Sequence, residues 1–299
     1  MRSIKSWQAS AILNRSPAGP TMGFHYSLNP YRGCSHACRY CYARESHTYL
    51  DLNVAEDFEQ QLFVKENLRE RLRSELIRVP LDAVIAVGTV TDPYQPLEGR
   101  HQLTRTAIEL LAESGHAFTL TTKSPLIERD LDLLEPLGRR GQLGVHISLM
   151  SLDRELLHRL EPGTSPPARR LEMIRRVHER GIPVGTFAAP IIPVLTDGKE
   201  SLDALFEALK DAGSDWIMTS STRLSAAIRP YFFDQVHAFD PAAAETIRSL
   251  YHDTQFVDQA YRRRLETLLR TLYQRHHMSR TGPLLRPYRT EAQMEFHFD

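Results

Sequence analysis

The sequence predicts an α/β protein, a partial (β/α)6 barrel of the TIM type that carries a C-terminal helical extension. Three observations carry this. Short apolar, β-branched runs alternate six times with amphipathic stretches whose apolar positions lie three or four apart. No G-x-G-x-x-G string follows an early strand, as a dinucleotide-binding sheet would need. The alternation then stops near Pro230, and helical periodicity alone continues.

The elements follow in order. Residues 1–22 show no period and read as an N-terminal arm, ahead of a barrel over 23–229 and a helical cap over 230–299. The strand candidates are His25–Leu28, Ala83–Val90, Ala117–Thr121, Leu143–Leu149, Pro183–Ala188 and Asp215–Thr219. The second is continuously apolar, as a strand covered on both faces should be. Leu68, Leu72 and Leu76 recur every four residues and mark one helix. Thr106–Ala112 extends another as far as Gly115. Leu171, Ile174 and Val177 form a third, entered through Ser165-Pro166-Pro167 and stopped by Gly181 and Pro183. Leu202, Leu205, Phe206 and Leu209 form a fourth. Residues 241–278 read as helices with a stripe from Val257 to Leu272, and the tail from Ser279 as irregular.

Composition bounds the function. The 299 residues carry 37 basic and 37 acidic side chains, so a globally basic nucleic-acid coat is excluded while a local patch is not. The longest apolar stretch, Val184 to Leu195, is broken by Pro190 and Pro193 and is too short to span a bilayer. No signal peptide is evident, so a cytoplasmic, reducing location is expected. The cysteines are then free thiols or metal ligands. No P-loop and no G-x-S-x-G occurs.

All three cysteines fall in one string, Asn29-Pro-Tyr-Arg-Gly-Cys34-Ser-His-Ala-Cys38-Arg-Tyr-Cys41-Tyr-Ala-Arg44. The spacing is C-x3-C-x2-C, directly after the first strand candidate. Loops there lie at the C-terminal rim of a barrel, where sites are built. Three thiolates on one loop suit a soft metal centre. A 4Fe–4S cluster normally takes four cysteines, and this chain has three. One iron is therefore open or held by another donor. The alternatives are a Cys3His zinc site with His36, whose closeness to its neighbours would strain a tetrahedron, and three structural thiols.

The segment resembles the cluster motif of radical SAM enzymes. With VGTVTDPYQPLE and TTKSPLIERDLDLL it resembles a bacterial radical SAM group related to spore photoproduct lyase, often labelled DNA repair photolyase-like. The likeness runs from about Tyr26 to Arg223. It implies that Cys34, Cys38 and Cys41 hold three irons and that S-adenosylmethionine chelates the fourth. Reduction by a partner such as flavodoxin or ferredoxin would release a 5′-deoxyadenosyl radical that takes hydrogen from substrate.

The likeness also implies cofactor-binding residues. Tyr40 would pack near the adenine, or merely pack the loop. Gly88 and Thr89, ending the second strand, would meet the methionine amine, although the usual G-G-E string is absent. Asp92 would accept from that amine or from a substrate, or only cap its turn before Pro93. Lys123 and Ser148, ending the third and fourth strands, would bind the cofactor carboxylate. The catalytic residues and the substrate stay unknown. Photoproduct lyases return hydrogen from a cysteine in the segment matching Val87–Asp92, where this chain has Thr89 and Thr91, which weakens a thymine-dimer repair reading. Nucleic acid keeps one argument: eight arginines and one acid between Tyr261 and Arg289, with Tyr261, Tyr273 and Tyr288 interleaved, against the plainer reading of a solvated helix face. The competing class is a non-catalytic zinc or iron–sulfur module.

Overall fold

The computed structural model describes residues 2–17, 23–252 and 254–288. Its strands are β1 (Ser3–Trp7), β2 (Leu13–Arg15), β3 (Tyr26–Leu28), β4 (Tyr31–Arg32), β5 (Gln61–Lys65), β6 (Ile85–Val87), β7 (Phe118–Thr122), β8 (Leu143–Ser148), β9 (Val184–Phe187) and β10 (Trp216–Met218). Between them run α1 (Glu56–Gln60), α2 (Leu68–Leu76), α3 (Glu98–His101), α4 (Leu103–Ser114), α5 (Leu131–Arg139), α6 (Arg154–Leu160), α7 (Pro167–Glu179) and α8 (Lys199–Asp211). The helices α9 (Arg229–His237), α10 (Pro241–Ser249) and α11 (Gln259–His276) follow.

The main sheet has the order β10-β9-β8-β7-β6-β3-β2. β3, β6, β7, β8, β9 and β10 are parallel, and β2 lies antiparallel on the β3 edge. These six parallel strands are the six expected. The sheet is open between its β10 and β2 edges among the described residues, so the barrel is partial. Of the six, all but β7, which is shifted by one residue, are shorter than the expected strands. β6 ends at Val87 because Gly88 turns away at φ +92. A Cβ at Gly88 would lie 2.7 Å from Thr121 O and from Pro93 Cδ, so only glycine fits this crossing.

Strand periodicity sorts the residues into two faces. Val87, Leu120, Val145, Ile147 and Ile217 are fully buried under the surrounding helices. Thr119, Thr121, His146, Ser148 and Phe187 alternate with them and line the inner, concave face. Register puts His146 beside Thr121 and Gly185.

The N-terminal arm is more ordered than its sequence suggests. β1 pairs in parallel with β5, and β4 joins β5 in a second, three-stranded sheet. β2 extends the main sheet. β1 and β2 are short and largely exposed, so no hydrophobic period marks them. Partners distant in sequence decide their conformation.

The C-terminal helices pack onto the barrel. Asp240 and Asp258 cap α10 and α11 through Ala243 N and Tyr261 N. Tyr273 sits edge-on to Phe206 of α8 and donates to Ile217 O at 2.6 Å. As far as Tyr288 the tail has no helix or named strand, as expected, yet it is tied down. Residues 289–299 lie outside the described residues. Ser279 O accepts from Ile217 N, Arg286 N donates to Gly141 O, and Tyr288 N donates to Gly115 O. It therefore crosses beneath β10, β8 and β7 at their N-terminal ends. No helix of the described residues is long and apolar enough to cross a membrane.

Candidate active site

The cysteine loop leaves β3 at the C-terminal rim. Gly33 makes the bend at φ +77, where a Cβ would lie 2.9 Å from Gln61 O and Phe58 O. Two tight turns follow, Ala37 N to Cys34 O and Cys41 N to Cys38 O, each 3.3 Å. Cys34 and Cys38 are buried, Cys41 is half-buried, and all three are free.

Neighbouring segments clamp this loop from every side. Gln95 donates to Gly33 O and accepts from Ser35 N, both at 3.0 Å. Thr91 donates to Gly33 O at 2.6 Å. Arg44, fully buried, donates to Cys38 O at 2.9 Å and to Glu59 at 2.7 Å. Arg39 donates to Tyr231 of α9 at 2.6 Å and, through its backbone, to Leu160 O at 2.8 Å. Gly163 N donates to His36 O at 3.1 Å.

A buried charge network lies beneath. Tyr40 donates to Glu161, which pairs with Arg170 at 2.5 Å. Arg170 also donates to Ser148 O at 3.0 Å and Ser165 O at 2.9 Å. Burial alone would raise the Glu161 carboxyl, but Arg170 and Lys123 hold it below the usual carboxylate range. Burial alone would lower the Lys123 ammonium, but the charges of Cys38 and Glu161 raise it instead. Lys123 follows β7, as expected, and is kept cationic at the rim.

The remaining expected positions fall as follows. Ser148 ends β8 and is buried. Thr89 accepts from Asn29 at 3.0 Å through its hydroxyl and from the Tyr42 phenol through its carbonyl. Asp92 is buried and internally engaged. It accepts from Thr122 at 2.6 Å, Lys123 N at 2.7 Å and Tyr94 N at 2.9 Å. Burial would raise its pKa, but His36 and these donors hold it at about 2. His36 Nδ1 stands 3.2 Å from Asp92 Oδ2, a close approach rather than an aligned hydrogen bond. His25 and His47 are spent on Val84 N and Gln61 O. Arg223 faces the cap, bonded to Gln255 at 2.8 Å and stacked on Phe256.

The donor set fits a cluster better than a single ion. Among the described residues no three His, Cys, Asp or Glu are grouped as one metal ion would need. A tetrahedral zinc needs four donors on one ion, whereas a cluster spreads its thiolates over separate irons. Without a cation the thiols resist ionisation. Burial, then Asp92, push Cys34 up to about 12, and burial, with Glu161 opposing Lys123, pushes Cys38 well up. A cationic centre at the loop would reverse both shifts.

Gln95 and Arg44 lie inside the strings VGTVTDPYQPLE and Asn29–Arg44, but nothing in those strings gives either a role, and Glu161 and Arg170 carry no motif. Only contact shows that the four converge.

The family model described as "Radical SAM superfamily" matches residues 28–209. The chain belongs to the radical SAM superfamily. An "Uncharacterized protein" of Mycobacterium tuberculosis is 36% identical over 93% of this chain and 79% of its own. Another, from Methanocaldococcus jannaschii, is 29% identical over 62% of this chain and 68% of its own. Among solved structures, a spore photoproduct lyase variant with bound AdoMet and dinucleoside spore photoproduct superimposes with a TM-score of 0.66 at 18% identity, over 91% of this chain and 79% of that one. This likeness shows the shared fold, a radical SAM partial barrel. The protein is a radical SAM enzyme, and its family implies a 4Fe–4S cluster and S-adenosylmethionine.

The basic C-terminal run folds differently from a base-stacking platform. Tyr261 and Tyr273 are buried and bonded to Asp197 and Ile217 O. Arg275 pairs with Asp203 and Arg280 with Glu266. Arg289 lies outside the described residues.

Proposed function

We propose that Cys34, Cys38 and Cys41 hold the cluster, and that Lys123, Ser148, Tyr40, Gly88 and Thr89 form the cofactor cradle. The observation that carries this is the clamped loop of three unpaired thiols in a chain with no fourth cysteine. Bound there, the cluster and S-adenosylmethionine supply a 5′-deoxyadenosyl radical for hydrogen abstraction. The chain's own contribution is positional and electrostatic. Lys123 offers a fixed cation to a carboxylate. Glu161 and Arg170 hold Tyr40 and the Ser148 backbone still. Asp92 locks the β6 turn to β7 and the cysteine loop, so its assigned part is positioning rather than ligand contact. An electron from a flavodoxin- or ferredoxin-type reductant starts the cycle.

For the substrate we propose a nucleotide or nucleic-acid component. Its support is the likeness to a lyase crystallised with a dinucleoside, together with Arg223 and Arg262 flanking the 40%-exposed Phe256 on the cap. The absence of a cysteine in Val87–Asp92 argues for chemistry other than thymine-dimer reversal.

Anaerobic reconstitution tests the reading. A brown protein with about four irons per chain that releases 5′-deoxyadenosine on reduction with S-adenosylmethionine is expected. A colourless protein that binds one zinc per chain and cleaves nothing would overturn it.

A further inference from the structure

The barrel interior has a built floor. Trp216, 2% exposed, lays its indole across Gly185, where a Cβ would overlap the ring at 2.1 Å. Gly282 of the tail also leaves room for the ring, since a Cβ there would lie 2.7 Å from it, and Leu285 packs beside Gly144. Gly185 of β9 and Gly282 of the tail thus seat one large aromatic at the bottom of the sheet.

His146 stands on this floor. It occupies the inner face of β8, two residues below Ser148, and is only 9% exposed. Its ring lies 4.7 Å from Phe187, tilted by 41°, and 5.4 Å from Trp216, edge-on. Its Nδ1 is buried without a hydrogen-bond partner, and so is Trp216 Nε1. Unpaired buried polar atoms are uncommon and call for an occupant. Phe187, Thr121 and Lys123 on the same side are only half-buried, so the inner face above His146 opens toward the rim. Burial lowers His146 to about 4, which keeps the imidazole neutral near pH 7.

We infer that His146, Phe187 and Trp216 form a substrate subsite at the barrel floor that takes a neutral planar ring with a hydrogen-bonding edge. Phe187 supplies the stacking face. His146 supplies one polar contact, and its neutral state suits an amide or imide edge rather than an anion. Among the described residues no cation perturbs His146 at this depth, and the inner-face ammonium of Lys123 stands at the rim. The inference rests on the reading of the barrel mouth as the reaction site, and adds what part of the substrate reaches deepest.

Uracil is the probe, with its carboxylated analogue orotate as the anionic control. Anaerobic, cofactor-loaded full-length protein carrying Trp7→Phe reports through Trp216, the one tryptophan left. Uracil should bind saturably and change Trp216 emission, and orotate should not. His146→Phe keeps the ring and removes the polar contact, and should weaken uracil about tenfold. Phe187→Leu is the second variant and should weaken it independently if the first does not fold. Uracil failing to bind, or binding both variants as well as the parent, overturns the subsite and leaves His146 Nδ1 to a trapped water. Release of 5′-deoxyadenosine is scored in parallel, so a missing floor site and a missing radical chemistry give different results.

Discussion

Tyr40 donates its phenolic hydrogen to Glu161, joining the cysteine loop to the turn after α6. Glu161 in turn pairs with Arg170 at 2.5 Å, and both are almost wholly buried. One carboxylate therefore fixes the residue before the third cysteine and the arginine that holds the end of β8.

Glu161→Gln should be costly. It leaves the buried Arg170 without its counter-charge, which costs about 3–5 kcal/mol. Chemical denaturation should show that loss. Glu161→Asp, which keeps the charge, should recover part of it. A stability equal to the parent in Glu161→Gln would mean that the pair is not buried as described.

Removing a thiol should separate fold from cofactor. Cys38→Ala deletes one small buried group and should cost stability by about 1–2 kcal/mol. Iron content and visible absorption should collapse with it, and 5′-deoxyadenosine release should vanish. Persisting cleavage would show that Cys38 is no ligand.

Gly163 lies against the loop. A Cβ there would stand 2.2 Å from Ser35 O and 2.9 Å from His36 Cα, both backbone atoms that cannot swing aside. Gly163→Ala should therefore lower cluster occupancy as well as melting temperature. Gly99, in α3, has nothing within 4 Å of a built Cβ. Gly99→Ala should leave the cluster intact and stabilise the fold by up to about 1 kcal/mol.

The proposed cradle gives Lys123 to the cofactor carboxylate. Lys123→Ala should raise the concentration of S-adenosylmethionine needed for half-maximal cleavage by about tenfold or more, with iron content unchanged. Loss of iron instead would assign Lys123 to the cluster loop through Cys38.

His146 makes stability depend on pH. Its folded pKa is lowered by burial from 6.5 to about 4. The unfolded chain then binds the proton more readily, so this contribution is whole above about 6.5 and is lost as pH falls toward 4. The loss amounts to about 3 kcal/mol. Denaturation of the metal-free protein at stepped pH should show it, and His146→Phe should flatten that part of the profile.

The sequence by itself determined the six parallel strands and the cysteine loop. Strands buried on both faces need continuous apolar runs, and ligands on one loop must be close in sequence. Both constraints are local, so Ala83–Val90 and Cys34–Cys41 display them directly. The tertiary structure alone decided the rest. β1 and β5 lie far apart in sequence, and the short, largely exposed β1 becomes a strand only by pairing. Asp92 is marked by sequence as a ligand or a cap, and only its donors Thr122, Lys123 N and Tyr94 N show it internally engaged. Glu161, Arg170, Trp216 and His146 carry no motif at all. Their meaning comes from burial and from what faces them, and both are set by the packing of elements distant in the chain.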